Sequence, residues 1–183
     1  LADEGGIYDG TGDYTKKIDH TAPMAQAEGT WAFSFTADDP SGETWQALLS
    51  KDHYDYKDGG HLTVYLSPTG QLKLRFQSES ETTYLYGETV EAGVETHVAF
   101  TFEDGALKLY QNGELVADAD GFPAGMIGNT EDIVLGASTE TRVGANDNLH
   151  YFFTGTIANI AVLDRPLAEY EAFLLSEGDG NLD

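Results

Sequence analysis

A chain of 183 residues can bury one sizeable core, but its 32 Asp and Glu against nine Lys and Arg give a formal net charge of −23. Such acidity repels phosphate backbones and anionic lipids, and no apolar run is long enough to span a bilayer, so nucleic acid and membrane insertion are poor partner hypotheses. The absence of cysteine excludes disulfides, thiolate nucleophiles and zinc–thiolate centres.

Short apolar runs separated by turn residues predict β-strands rather than alternating strands and helices. The first two predicted strands cover 29–35 and 44–49. Strict alternation on both sides of a turn at 67–70 then predicts a hairpin of strands 61–66 and 71–77. The predicted core-facing residues of the hairpin are Leu62, Val64, Leu66, Leu72, Leu74 and Phe76, and its other face carries Thr63, Tyr65, Lys73, Arg75 and Gln77.

The second half of the chain continues as a meander with one helix at its end. The predicted strands are 83–86, 97–102, 107–110, 115–117, 132–136 and 152–163. Asn112-Gly113 is a hairpin turn signal, and Pro166 precedes a helical pattern over 166–175. We therefore expect one sandwich domain over 1–176, followed by a polar Gly/Asp-rich linker at 177–183.

The order of these motifs resembles the laminin-G-like, concanavalin A-like lectin/glucanase superfamily. The matching segments are 8–14, 96–102, 109–116, 135–137, 153–157 and 161–167. The resemblance implies an all-β, two-sheet antiparallel jelly-roll β-sandwich with one short C-terminal helix. A narrower resemblance, at 50–52, 59–62, 75–77 and 128–136, is to the variant found in large secreted RTX-type calcium-binding proteins and adhesins of marine bacteria. It implies an extracellular or cell-surface, monomeric module of a longer chain.

Calcium is the cofactor that this sequence favours. An excess of carboxylates destabilises a compact fold unless cations neutralise part of it, although acidity can also serve solubility alone. Asp9 and Asp13 flank a tight glycine turn, and Asp147 lies before the last strand, so the three are the predicted Ca²⁺ ligands. The alternative is that Asp9 and Asp13 only fix the turn by hydrogen bonding to its backbone.

Two surfaces are candidates for binding a glycan. The segment 51–58 combines aromatic rings, charges and a histidine, as sugar stacking and hydroxyl recognition require. The outward hairpin face with the next strand adds rings and an arginine. The predicted ligand contacts are Asp52, His53, Tyr54, Asp55, Tyr56, Arg75, Gln77, Tyr84 and Asn146, with Tyr65 and Tyr86 beside them. The alternatives are a solvated loop and ordinary cross-strand pairs.

A binding module is favoured over an enzyme. Glucanases of this superfamily place two or three acidic residues on one strand, whereas the acidic residues here fall in turns and loops, where nothing raises a carboxyl pKa. A lyase would add an inward-facing histidine base. We therefore predict a calcium-dependent, non-catalytic module for a glycan or polysaccharide, with a protein- or peptide-binding or spacer domain of an adhesin as the alternative.

Overall fold

Two antiparallel β-sheets form the chain in a computed structural model that describes residues 2–3, 6–11, 16–52, 61–77, 81–120, 128–138 and 149–178. The strands are β1 Ala2–Asp3, β2 Gly6–Asp9, β3 Lys16–Ile18, β4 Gly29–Ala37, β5 Gln46–Lys51, β6 His61–Leu66, β7 Gln71–Gln77, β8 Thr82–Thr89, β9 Glu95–Glu103, β10 Ala106–Gln111, β11 Glu114–Ala119, β12 Ile133–Leu135 and β13 Thr154–Leu163. One α-helix, α1, covers Glu169–Ser176, and a short 3-10 turn covers Ala22–Met24.

The strands divide into two layers. Sheet I has the order β1-β13-β4-β9-β10-β11, with β2 also paired to β13, and sheet II has the order β3-β12-β5-β6-β7-β8. Every pairing within the described residues is antiparallel. This arrangement confirms the all-β jelly-roll sandwich with one short C-terminal helix that the sequence predicted.

The core lies between the two sheets and is made by the predicted alternation. All six hairpin residues expected to face inward are fully buried, as are Phe100 and Phe102 of β9. Rings from both sheets meet there, because Phe76 of sheet II packs 6.1 Å from Phe102 of sheet I, centroid to centroid. The other side chains of the hairpin therefore point away from the core, on the outer side of sheet II.

Some elements differ from their predicted extent. The strand expected at 44–49 is β5 and begins two residues later, and α1 begins at Glu169 rather than near Pro166. The later helix start has a local cause, because Glu171 Oε2 accepts a hydrogen bond from the Ala168 backbone N–H and so marks the first turn. Strands β1, β2 and β3 were not predicted, and each exists by pairing with β13 or β12.

One glycine shows how the N-terminal strand is held. Gly136 has a φ of +74°, and a Cβ there would lie 2.2 Å from the ring of Tyr8. Tyr8 itself is 3% exposed and packs against Phe153. Only glycine leaves room for this ring while allowing the left-handed backbone. Among the residues described, no helix is long and apolar enough to cross a membrane.

Candidate functional site

The side of sheet II that faces away from the core is organised as two rows of cross-strand neighbours on β5 to β8. The rows are Ser50, Thr63, Arg75 and Tyr84, and Ala47, Tyr65, Lys73 and Tyr86. We call this surface the outer face of sheet II. Because β8 is the edge strand, its two tyrosines are the most exposed members, at 44% for Tyr84 and 50% for Tyr86.

Asp52 forms the polar base of this face. It follows β5 directly, and its side chain is only 2% exposed. Arg75 Nη2 donates to both carboxylate oxygens at 2.9 Å, and the Thr63 hydroxyl donates at 3.0 Å. His61 Nδ1 lies 3.0 Å away and carries its proton there, since a carboxylate only accepts. These hydrogen bonds hold the Arg75 guanidinium in one place.

The ionisation of Asp52 follows from the same contacts. Burial alone raises the pKa of this carboxyl, but the hydrogen bond from His61 and the charge of Arg75 outweigh it and hold the pKa below its usual value. Asp52 is therefore an ionised partner of Arg75 at neutral pH. A general acid needs the opposite, a carboxyl whose pKa is raised.

Aromatic rings surround the centre of the outer face. The Tyr65 ring contacts Trp45 and Tyr151 edge to face, each with a centroid separation of 6.0 Å. Tyr84 and Tyr86 lie side by side at 6.5 Å with an interplanar angle of 36°. Tyr65 is 5% exposed, so the outer tyrosines rather than Tyr65 offer ring surface to a ligand.

Lys73 lies in the middle of these rings. Its ammonium is 4.0 Å from the centroid of Tyr84, 4.7 Å from that of Trp45 and 5.5 Å from that of Tyr86. These distances are within the range of cation–π attraction. Burial, and then the positive charge of Arg75, lower the pKa of Lys73.

Lys51, a buried cation in addition to Arg75, fixes the end of β5 next to Asp52. Lys51 is fully buried, and its ammonium donates to the Asn129 backbone carbonyl at 2.9 Å, to Asn129 Oδ1 at 3.2 Å and to the Glu131 carbonyl. His20 Nδ1 lies 3.2 Å away, and Asn129 Nδ2 donates in return to the Lys51 carbonyl. Burial lowers the pKa of Lys51 to about 8, and the charge of Glu131 opposes the shift. The segment at 129–131 is thus tied to the strand that carries the site.

The predicted calcium turn is described only in part. Asp9 ends β2, and its Oδ1 accepts from the Thr11 backbone N–H at 2.9 Å and from the Thr11 hydroxyl at 2.7 Å. These two bonds lower the pKa of Asp9 and match the turn-fixing alternative. Asp13 and Asp147 lie outside the described residues. Within the described ranges, no three His, Asp or Glu side chains form a metal-binding group. The calcium site stays a prediction.

The predicted ligand contacts are partly brought together. Arg75, Gln77 and Tyr84 share one face of β7 and β8, as alternation required. Asp52 lies beneath them and positions Arg75, so it supports the face rather than lining it. His53, Tyr54, Asp55, Tyr56 and Asn146 lie outside the described residues.

Three contributors were not predicted as site residues. Alternation placed Lys73 on the correct face, and its position two residues before Arg75 was an available signal. Trp45 was assigned only to a strand, and His61 only to the start of the hairpin. Trp45 joins the site through its contact with Tyr65, and His61 through its contact with Asp52, and no local sequence pattern reveals either contact.

The two antiparallel layers place the chain in the broad class of two-sheet β-sandwich domains. The family model described as the concanavalin A-like lectin/glucanases superfamily matches residues 9–172, and the chain belongs to that superfamily. No curated protein sequence matches the chain.

Solved structures with the same fold share little sequence. The CBM40 module of the Ruminococcus gnavus IT-sialidase, bound to α2,3-sialyllactose, is 19% identical with a TM-score of 0.72 and covers 96% of this chain and 98% of its own. A pentraxin from Limulus polyphemus is 15% identical with a TM-score of 0.71, covering 97% and 83%. The leech intramolecular trans-sialidase is 19% identical with a TM-score of 0.73, and the match covers 100% of this chain but 28% of that one. These similarities establish the fold.

Proposed function

We propose that this domain is a non-catalytic glycan-binding module and that the outer face of sheet II is its binding site. The observation that carries the proposal is the pair of exposed rings, Tyr84 and Tyr86, beside an arginine that Asp52 holds in place. A pyranose ring stacks its C–H face on such a surface, while a guanidinium donates to hydroxyl or carboxylate oxygens.

The rigidity of the face supports recognition rather than a purely structural role. Its side chains project from four hydrogen-bonded strands, and the polar groups at its base are buried and engaged. A preformed site loses little conformational entropy on binding. The CBM40 module of similar fold was solved with α2,3- and with α2,6-sialyllactose, which supports a glycan as the ligand here.

Catalysis is the weaker alternative. Asp52 has its oxygens occupied by Arg75, His61 and Thr63, and its lowered pKa suits an ion-pair partner rather than a general acid. An acidic peptide is the other alternative, because a positively charged aromatic face also suits carboxylate side chains. The experiment below separates the three.

Calcium dependence and an extracellular setting within a longer chain complete the proposal. Asp9, Asp13 and Asp147 remain the proposed ligands, since carboxylates beside a glycine turn suit the oxygen shell of Ca²⁺. The ion would neutralise part of the net charge of −23.

A glycan array screened with calcium and with chelator tests the proposal. We expect binding that is weakened about tenfold or more when Tyr84 and Tyr86 are both replaced by alanine, because two stacking surfaces are lost. The matched control is Tyr170→Ala, which removes a tyrosine that is 65% exposed on α1. Equal loss in the control variant, or unchanged binding in the double variant, contradicts the assigned face.

Other outcomes identify the alternatives. Release of reducing ends or unsaturated products from a bound polysaccharide would show an enzyme. Silence on every glycan together with retained attachment to acidic peptides would show a peptide-binding domain. Signals that persist in chelator would remove calcium from the proposal and leave the glycan site in place.

A further inference from the structure

Lys73 is a cation held by aromatic rings rather than by a counterion. Its ammonium lies within 5.5 Å of the centroids of Trp45, Tyr84 and Tyr86. Among the residues that the structure describes, no carboxylate lies within ion-pair distance of it. In a chain with 32 acidic residues, this ammonium is thus placed among rings rather than beside a carboxylate.

The neighbouring charges leave a local positive excess. Arg75, two residues along β7, is neutralised by Asp52, whose carboxylate receives both hydrogen bonds from Nη2. Lys73 has no such partner and adds its full charge to the face. Among the described residues, the two cross-strand rows carry two cations, Arg75 and Lys73, and the anion that pairs with one of them is Asp52 at their base.

We propose that Lys73 is the specificity-determining residue of the glycan site and that it selects a sugar carrying a negatively charged substituent, a carboxylate or a sulfate ester. This inference rests on the glycan-binding function proposed above. The rings hold the ammonium beside the surface on which a pyranose stacks, so that its charge meets an anionic group on that same sugar ring. A neutral sugar in the same position leaves the partly desolvated ammonium without a partner, which disfavours it.

Three variants separate this role from a structural one. Lys73→Met keeps the aliphatic stem among the rings and removes the charge, whereas Lys73→Arg keeps the charge. Lys108→Met is the matched control, because it removes one positive charge from an exposed position on β10 of sheet I and changes the net charge equally. Melting temperatures measured for all three report any loss of packing.

Binding is measured on an array in which each neutral glycan stands beside its sialylated, uronic-acid-containing and sulfated counterparts, and then in solution with lactose, 3′-sialyllactose and 3′-sulfolactose. We expect the wild type to prefer the charged members. Lys73→Met weakens their binding about tenfold or more, since one charge-assisted contact is lost, and does not weaken that of the neutral members, since the ammonium that disfavours them is gone. Lys73→Arg and Lys108→Met retain the preference.

The outcomes distinguish the inference from the function on which it rests. Equal binding of neutral and charged counterparts, or an unchanged preference in Lys73→Met, overturns the inference and leaves glycan binding intact. Absence of any glycan signal overturns both. Loss of preference only for the carboxylated or only for the sulfated members supports the inference and identifies which anion Lys73 binds.

Discussion

Replacement of Arg75 by methionine tests whether the polar base of the outer face is an ion pair on which the fold depends. Methionine keeps most of the aliphatic volume and removes the guanidinium. The variant leaves the Asp52 carboxylate, whose side chain is 2% exposed, with His61 and the hydroxyls of Ser50, Thr63 and Ser138 as its donors. A buried charge deprived of its counter-charge is the costly case.

The expected loss of unfolding free energy is about 3 kcal/mol, at the lower end of the range for breaking a buried pair because these other donors remain. Adding Asp52→Asn to Arg75→Met should restore part of this loss, since the orphaned charge is then gone. Lys17→Met is the control. The Lys17 side chain is 61% exposed and pairs with Asp132, whose side chain is 27% exposed, so its loss costs about 1 kcal/mol or less.

The pH dependence has a definite sign. In the wild type the pKa of Asp52 is lowered on folding, so its contribution is present above the unfolded pKa and lost as the pH falls through the folded pKa. Without Arg75 one of the influences that lower the folded pKa of Asp52 is lost, so that pKa rises relative to the wild type. The deficit of the variant is therefore larger at pH 7 and shrinks as the pH falls through pH 5 towards that pKa.

Urea unfolding followed by the fluorescence of Trp31 and Trp45, at both pH values, measures these differences. Coincident near- and far-ultraviolet transitions establish two-state behaviour first. A loss below about 1 kcal/mol in Arg75→Met, or a double variant no more stable than the single one, would refute the reasoning, because both follow from an uncompensated buried carboxylate.

Two further predictions concern the N-terminal region. If calcium is bound, removing it with chelator lowers the melting temperature by roughly 5 to 10 °C, because an ion at hundredfold excess over its Kd stabilises the fold by about 2.7 kcal/mol. Asp9→Asn, which keeps the hydrogen bonds to Thr11, should reproduce most of this loss, and an identical melting curve with and without chelator counts against the ion. Gly136→Ala should lower the free energy of unfolding by about 2 kcal/mol or more, through backbone strain and collision of the new Cβ with Tyr8. Gly93→Ala is the control for strain alone, since Gly93 has a φ of +72° and no atom within 4 Å of the added Cβ; equal losses in the two variants would show that the collision is relieved.

The alternating strands were predictable because their signal is local. In β6, β7 and β9 the apolar residues recur every second position, and the core contains those residues. The first three strands carry no such pattern. They have two to four residues each, and their extended conformation comes from hydrogen bonds to β13 and β12, more than 100 positions away in sequence.

For the site, too, the local alternation was predictable and the long-range contacts were not. Alternation places Arg75, Gln77 and Tyr84 on one face, but it does not reveal which partners meet them there. The Lys51 ammonium is bonded to a carbonyl 78 positions later, and Asp52 meets Arg75 across 23 positions. A sequence shows that such groups exist, whereas only the folded arrangement shows which distant partner each of these adjacent residues meets.

Lys51 and Asp52 together explain how this face combines a rigid base with an open surface. The lysine ties the end of β5 to the segment at 129–131, and the aspartate ties the same point to β6 and β7. Because both residues fix the end of β5, the outer face of sheet II is ordered before any ligand binds, and a glycan at the proposed site would lose little affinity to the ordering of side chains.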